Sequence, residues 1–249
     1  MAGSLEGRRA LITGASSGIG AATAEAMVAE GAAVALAARR KDRLDELASR
    51  IEAGSGKAVA IEADIADEAQ AKSLVETAHT ELGGLDTLVN NAGVMLLGPL
   101  QGADPEEWRT MIGVNCLGLL YCTHAALPIM RQQGSGHIVN LSSVAGRFAR
   151  TGAGVYNLTK FGVNAFSESL RQELVPHRIR VTVVEPGFVD TELQGHNEGV
   201  AAQGIEQMRE EIGETLLAED IADGIVWAVT RPEHVAVSEV LIRPAGQVR

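Results

Sequence analysis

The 249-residue chain predicts an α/β fold: a single domain built on a doubly wound, seven-stranded parallel sheet flanked by helices. Two observations carry this expectation. Short apolar runs and longer helical stretches alternate at an even pitch from end to end, as in a parallel sheet with helices on both faces. The first run also passes through a glycine-rich turn straight into an Ala-rich helix. Right-handed crossovers then wind the sheet in both directions. No composition shift, repeat or low-complexity linker divides the chain, so residues 1–249 are expected to form one domain.

The elements follow in order. Residues 8–13 form an apolar-ending run that reads as the first strand. Further strand-like runs stand at 33–38, 57–62, 86–90, 136–142, 179–184 and 238–242. Helical patterns lie between them at 18–30, 41–53, 67–82, 104–130, 153–175 and 218–230. Asp104-Pro105-Glu106-Glu107 is a helix start, with Asp as N-cap and Pro in the first helical position. Asp67-Glu68 marks another acidic first turn. Residues 188–217 break the rhythm, being polar, glycine-containing and weakly helical.

Composition bounds the function. Hydrophobic residues make up 46% and aromatics only 3%, so aliphatic side chains must fill the core. A net charge of −11 argues against a nucleic-acid partner and against an anionic membrane surface. No run is expected to reach the eighteen or so apolar residues of a membrane span. Met1 to Glu6 lacks a basic stretch and an apolar core, so no signal peptide is expected. Cys116 and Cys122 are expected to be free buried thiols, and the scattered histidines form no metal-ligand cluster. These features predict a soluble, cytoplasmic protein.

Two motifs carry chemistry. Tyr156 and Lys160 are four residues apart, which on a helix puts them on one face. A phenol beside an ammonium is an activated proton donor and acceptor, and the Lys charge is expected to pull the Tyr pKa down from about 10. Gly14, Gly18 and Gly20, spaced Gly-x3-Gly-x-Gly, lie between strand and helix. That context suits a dinucleotide: one glycine for the tight turn, one for approach of a pyrophosphate, one for close packing of helix on strand. The helix N-terminus adds free N–H groups for phosphate. Alone, each motif is weak, because surface helices often carry Tyr/Lys pairs and glycine-rich turns are often ordinary loops.

Together these residues resemble the short-chain dehydrogenase/reductase family over nearly the whole chain. The Thr-Gly-x3-Gly-x-Gly turn stands at 13–20 and Asn-Asn-Ala-Gly at 90–93. The family's helix asparagine matches Asn115, its serine Ser143, its Tyr-x3-Lys Tyr156 and Lys160, and its Pro-Gly Pro186-Gly187 with Thr191 downstream. The resemblance implies a Rossmann fold with strand order 3-2-1-4-5-6-7. It also implies hydride transfer between a nicotinamide cofactor and a carbonyl or alcohol. Tyr156 would be the general acid/base. Lys160 would lower its pKa and hold the nicotinamide ribose. Ser143 would position the carbonyl oxygen, with Ser142 competing and only the spacing to Tyr156 deciding. Asn115 would anchor a water that leads to the lysine. Cofactor contacts would come from Gly14, Ser16, Ser17, Gly18, Ile19 and Gly20, and from Asp64 and Ile65 near the adenine. Asn91, Ala92 and Gly93 would pass the ribose, and Pro186, Gly187, Val189 and Thr191 would meet the nicotinamide and pyrophosphate. Asp64 also suits a capping role near Asp67. Residues 188–217 match the family's mobile substrate lid, although an ordinary surface excursion would look the same.

Cofactor choice is read from the end of the second strand. Ala38 stands where an NAD-preferring fold of this kind places an acid, and Arg39 and Arg40 follow. Guanidinium groups bind phosphate with paired hydrogen bonds, so NADP(H) is expected over NAD(H). The arginines also suit the start of the charged helix at 41–53. Ser238 to Pro244, Met95 to Pro99 and Lys160 to Phe166 resemble a branch that includes serine (3-hydroxy acid) and clavulanic acid dehydrogenases. Substrate-pocket walls are expected from Met95, Ala145, Arg147, Phe148, Phe188 and the 188–217 segment. Arg147 and Arg150 either meet a substrate carboxylate or are solvated, and His196 either touches substrate or lies on the surface. Some proteins of this fold bind cofactor without catalysis, but such a chain is expected to lose Tyr, Lys or Ser. Apolar residues on more than one side of the helices at 104–130 and 153–175 predict a homo-oligomer, a tetramer built from dimers or a dimer.

Overall fold

The computed structural model describes residues 3–248; Met1, Ala2 and Arg249, the ends of the expected domain and part of the Met1–Glu6 segment, lie outside the described residues. Seven parallel strands form one sheet. They are β1 (Arg9–Thr13), β2 (Ala33–Ala38), β3 (Lys57–Glu62), β4 (Thr87–Asn90), β5 (Gly136–Leu141), β6 (Ile179–Pro186) and β7 (Glu239–Ile242). Their order, β3-β2-β1-β4-β5-β6-β7, is the one the resemblance implied. β1, β2, β4 and β5 are almost wholly buried, which is why they read as continuous apolar runs.

Helices cover both faces. One layer contains α1 (Gly18–Ala29), α2 (Lys41–Ala53) and α8 (Ala218–Val229), with Met27, Leu44, Leu47, Ile221 and Ile225 in its core. The other contains α3 (Glu68–Leu82), α5 (Leu119–Gln133) and α6 (Gly154–Leu174), with Leu74, Met130, Leu170 and Leu174 in its core. Both cores are filled by aliphatic and Met side chains, as the scarcity of aromatics required. Helix ends follow local chemistry. Asp67 and Asp104 accept hydrogen bonds from Gln70 N and Glu106 N, and Gly83 and Gly134 close α3 and α5 in the left-handed region.

Two expectations need correction. The helix expected at 104–130 forms as one continuous run over Pro105–Gln133, made of α4 (Pro105–Ile112), a π-helical turn at Gly113–Gly118, and α5. This run is long enough and apolar enough to match a membrane span, with mean hydropathy 1.4, contrary to the sequence expectation. Part of this apolar surface, Met111, Cys122, Ala126 and Met130, is buried inside the helical layer, while Ile112, Leu117 and Leu120 stay exposed. The 188–217 segment is also more ordered than its polarity suggested. It holds a 3₁₀ turn at Glu192–His196 and α7 (Gly199–Ile212). Its ends are tied together: Asp190 N donates to Leu216 O at 2.8 Å and Leu216 N to Phe188 O at 3.1 Å.

Candidate active site

Between β1 and β4 the strand order reverses, and the loops after the strands open a crevice there. A cleft of about 410 Å³ fills it. Every residue expected to hold cofactor lines this cleft except Gly20, and every expected catalytic residue lines it except Asn115.

The glycine turn is shaped for close approach. Gly14 has φ +67°, and a Cβ there would sit 2.7 Å from Ala92 Cα. Gly20 packs so tightly that a Cβ would lie 2.3 Å from Gly14 O, which accounts for its place behind the cleft wall. Ser17 caps α1 with extended backbone and its side chain makes no capping bond, so the first-turn N–H groups remain for an anion. Asn91 holds the facing loop. Its Nδ2 donates to Thr13 O and Gly14 O, while Asn91 N and Ala92 N donate to Thr13 Oγ1. The Asn91 side chain is therefore engaged with the turn, and its backbone borders the cleft. Asp64 Oδ1 accepts from Ala66 N at 3.0 Å, and Asp67 alone caps α3, which separates the two roles left open in the sequence. Ile65 is buried against Gly118 at the cleft margin. A dinucleotide fits this cradle: glycines at the close approaches, an uncapped helix N-terminus, and two arginines at one end.

Those arginines behave differently from each other. Arg39 is exposed at the cleft. Arg40 lies across the turn, with Nη2 donating to Ser16 Oγ at 2.9 Å and Ser17 Oγ at 2.8 Å. Its Nη1 pairs with Glu192 at 2.8 Å, and Arg43 pairs with the other oxygen of that carboxylate at 2.5 Å. Arg43 and Arg40 hold the Glu192 carboxyl down at about 2. Glu192 was not singled out in the sequence, and nothing local signals it: its partners are about 150 residues away.

At the other end lie the expected catalytic groups. Tyr156 and Lys160 project from one face of α6, both buried. Lys160 Nζ donates to Leu141 O at 2.8 Å and lies 5.8 Å from the centroid of the Tyr156 ring. The expectation that the lysine lowers the tyrosine pKa is not met in this geometry. Burial pushes the Tyr156 phenol up to about 12, opposed by its hydrogen bond with the Ser143 hydroxyl, while burial pushes Lys160 down to about 8. Desolvation disfavours both charged forms and is the largest cause of each shift. Ser143 rather than Ser142 bonds Tyr156: Ser142 Oγ is turned to Lys160 O at 3.3 Å. Asn115 sits in the π-helical turn, a distortion common at functional sites. Its Oδ1 accepts from Val94 N and its Nδ2 donates to Val94 O, which pins the Asn-Asn-Ala-Gly loop from behind.

A second cavity of about 140 Å³ opens beside Ser143 and Tyr156. Met95, Ala145, Phe148 and Phe188 line it as expected, joined by Arg150 and by Leu193, Ile205 and Met208 of the 188–217 segment. Arg147 does not. Its guanidinium is bound to the fully buried Glu185, which also accepts from Asn164, and to Glu239. It is partly open to solvent and committed to these carboxylates rather than to the cavity, and leaving the buried Glu185 unpaired would be far more costly than keeping the pair. His196 is exposed and borders the larger cleft instead. Asn157 and Asn197, missed in the sequence, fix the walls. Asn157 bonds Arg150 N, Ala145 O and Phe148 O, and Asn197 bonds Leu97 N and Met95 O from across the cavity. Cys116 and Cys122 are free thiols pushed up by burial, Cys122 to about 12.

Residues 8–199 match the family model described as short chain dehydrogenase. The chain is 43% identical over 246 residues to the glycine betaine reductase of Emericella nidulans, covering 98% of this chain but only 19% of that protein. It is 40% identical over 240 residues to an uncharacterized oxidoreductase of Staphylococcus saprophyticus, covering 95% of this chain and 96% of the other. Among solved structures, a closed serine dehydrogenase complexed with NADP+ superposes with a TM-score of 0.88 at 32% identity, covering 96% of each chain.

Proposed function

Because the chain belongs to the short-chain dehydrogenase/reductase family, we propose that it is an NADP(H)-dependent oxidoreductase that interconverts a ketone or aldehyde with the corresponding alcohol. The observation that carries this reading is the meeting, on one cleft wall, of the Ser143 and Tyr156 hydroxyls with Lys160, facing the glycine turn. A bound nicotinamide cofactor supplies or accepts the hydride. Ser143 donates to the carbonyl oxygen and orients it. Tyr156 gives its phenolic proton to that oxygen as the C–H bond forms, and takes it back in oxidation. Lys160 holds the ribose hydroxyls and supplies positive charge near the phenolate. Asn115 keeps the loop before it in register through Val94.

The preference for NADP(H) rests on Ala38, which has no carboxylate to accept ribose hydroxyls or repel a phosphate, and on Arg39 and Arg40 beside it. The protein acts as a homo-oligomer, supported by the apolar side chains left exposed on α4 to α6, and works in the cytoplasm, supported by its unpaired cysteines. The test is loss of the reduced cofactor's near-ultraviolet absorbance with a panel of ketones and aldehydes, with NADPH and NADH in parallel. Turnover favouring NADPH is the expected result. Cofactor binding with no turnover of any substrate would indicate a binding protein.

A further inference from the structure

We propose that the substrate carbonyl carries an uncharged apolar group about the size of a phenyl ring, held in the cavity beside Ser143 and Tyr156; this rests on the carbonyl-reductase reading above. Three observations lead there. First, the cavity's size is fitting: about 140 Å³, close to the roughly 150 Å³ apolar cavity known to take up benzene. Second, its walls are apolar: Met95, Leu97, Phe148, Phe188, Ile205 and Met208. Thioether and aromatic side chains of this kind adapt to flat apolar groups.

Third, the polar groups at its walls are already engaged. Asn157 spends its oxygen on Arg150 N and its nitrogen on Ala145 O and Phe148 O. Gln194 Nε2 donates to Val189 O and its Oε1 accepts from Thr191 Oγ1. Gln247 Oε1 accepts from Phe188 N. The Arg150 guanidinium lies against Met208 Sδ at 3.0 Å, and Arg150 and Gln247 have further partners. The two groups placed to meet a carbonyl oxygen are Ser143 and Tyr156. A substrate carboxylate entering this cavity would lose its hydration and have to displace existing bonds, whereas an apolar ring loses nothing. The geometry therefore separates this chain from a hydroxy-acid dehydrogenase even though a serine dehydrogenase is a close structural neighbour.

The experiment compares methyl ketones CH₃CO–R in which R is phenyl, cyclohexyl, carboxymethyl or trimethylammoniomethyl, with NADPH and with NADH. Apolar fit is worth roughly 10- to 200-fold in specificity, so kcat/KM for the phenyl and cyclohexyl ketones should exceed that for the two charged ones by about a hundredfold. Arg150→Met should leave that order intact. A carboxymethyl ketone favoured in the wild type, and losing its advantage in Arg150→Met, would overturn the proposal, as would preference for the cation. Saturation-transfer NMR with acetophenone gives a readout that does not need turnover. Binding that Ile205→Trp abolishes, with no turnover of any ketone, would uphold the apolar site while sinking the reductase reading. Absence of acetophenone binding to the wild type would sink the site itself.

Discussion

At the scale of residues, the site is a contest between burial and charge. Tyr156 and Lys160 both sit at or below 7% exposure, and each is shifted against ionisation. The sequence made the pair visible through its spacing, but spacing says nothing of depth, so the direction of the tyrosine shift was not legible. Glu192 is the second case. Its carboxylate bridges Arg40 and Arg43 at the end of the cleft where a 2′-phosphate would compete for the same guanidinium. Glu192→Gln should therefore tighten NADP(H) binding by about two- to fivefold, the scale of an exposed ion pair, and leave NAD(H) binding nearly unchanged. Titration calorimetry with both cofactors checks this; equal changes for the two would show that the bridge does not compete with phosphate. No local pattern marked Glu192, Asn157 or Asn197, because each works through partners distant in the chain or through backbone atoms that carry no sequence signature.

At the scale of elements, the strands were legible almost to the residue, since a two-sided parallel sheet demands unbroken apolar runs and helices on either side demand caps. α7 was not. Only Ile205 in it is buried, so it lacks the apolar stripe that announces a helix, and it forms from the propensity of its Ala, Gln, Glu, Met and Arg residues. The π-helical turn at Asn115 was hidden for a different reason: one extra residue per turn leaves the apolar pattern nearly intact. β5 and β6 carry a consequence for acid stability. His137 on β5 is buried with its Nε2 2.7 Å from Thr182 Oγ1 on β6, and burial, helped by Arg180, pushes it down from 6.5 to about 3. Between those values the unfolded chain binds a proton that the folded chain does not, so stability falls as pH falls from about 6.5. One such group contributes up to about 1.4 kcal/mol per pH unit. His137→Gln should remove about 2 kcal/mol of the loss between neutrality and about pH 5, measured by denaturant unfolding at both values. An unchanged acid dependence would show that other groups set it.

At the scale of the whole molecule, the proposed oligomer draws its support from apolar residues left exposed on α4 to α6. On the helices that suggested it, Leu119, Val163 and Leu170 are buried within the protomer, while Ile112, Leu117, Leu120, Leu158 and Phe161 remain exposed. A patch of this kind on neighbouring helices suits a two-fold interface. Trp227 on α8 and Leu241 on β7 expose a second patch, which suits the pairing of dimers into a tetramer. Light scattering at micromolar protein should give a multiple of the 26.1 kDa chain mass. Leu120→Glu combined with Leu158→Glu should reduce it to one chain, because two buried carboxylates at a symmetric contact oppose each other. A monomeric wild type would contradict the assembly.

The proposed function depends above all on Tyr156 moving the proton that accompanies hydride transfer in the cleft. Its most direct test is kcat for reduction of an accepted ketone by wild type and Tyr156→Phe, with the Kd for NADPH measured on both. The substitution keeps the ring in its buried slot and deletes one oxygen. The expected result is a loss of roughly 10²–10⁴-fold in kcat with Kd for NADPH essentially unchanged. A variant that keeps more than about a tenth of the wild-type kcat, where loss of the acid should leave about a hundredth or less, would contradict it.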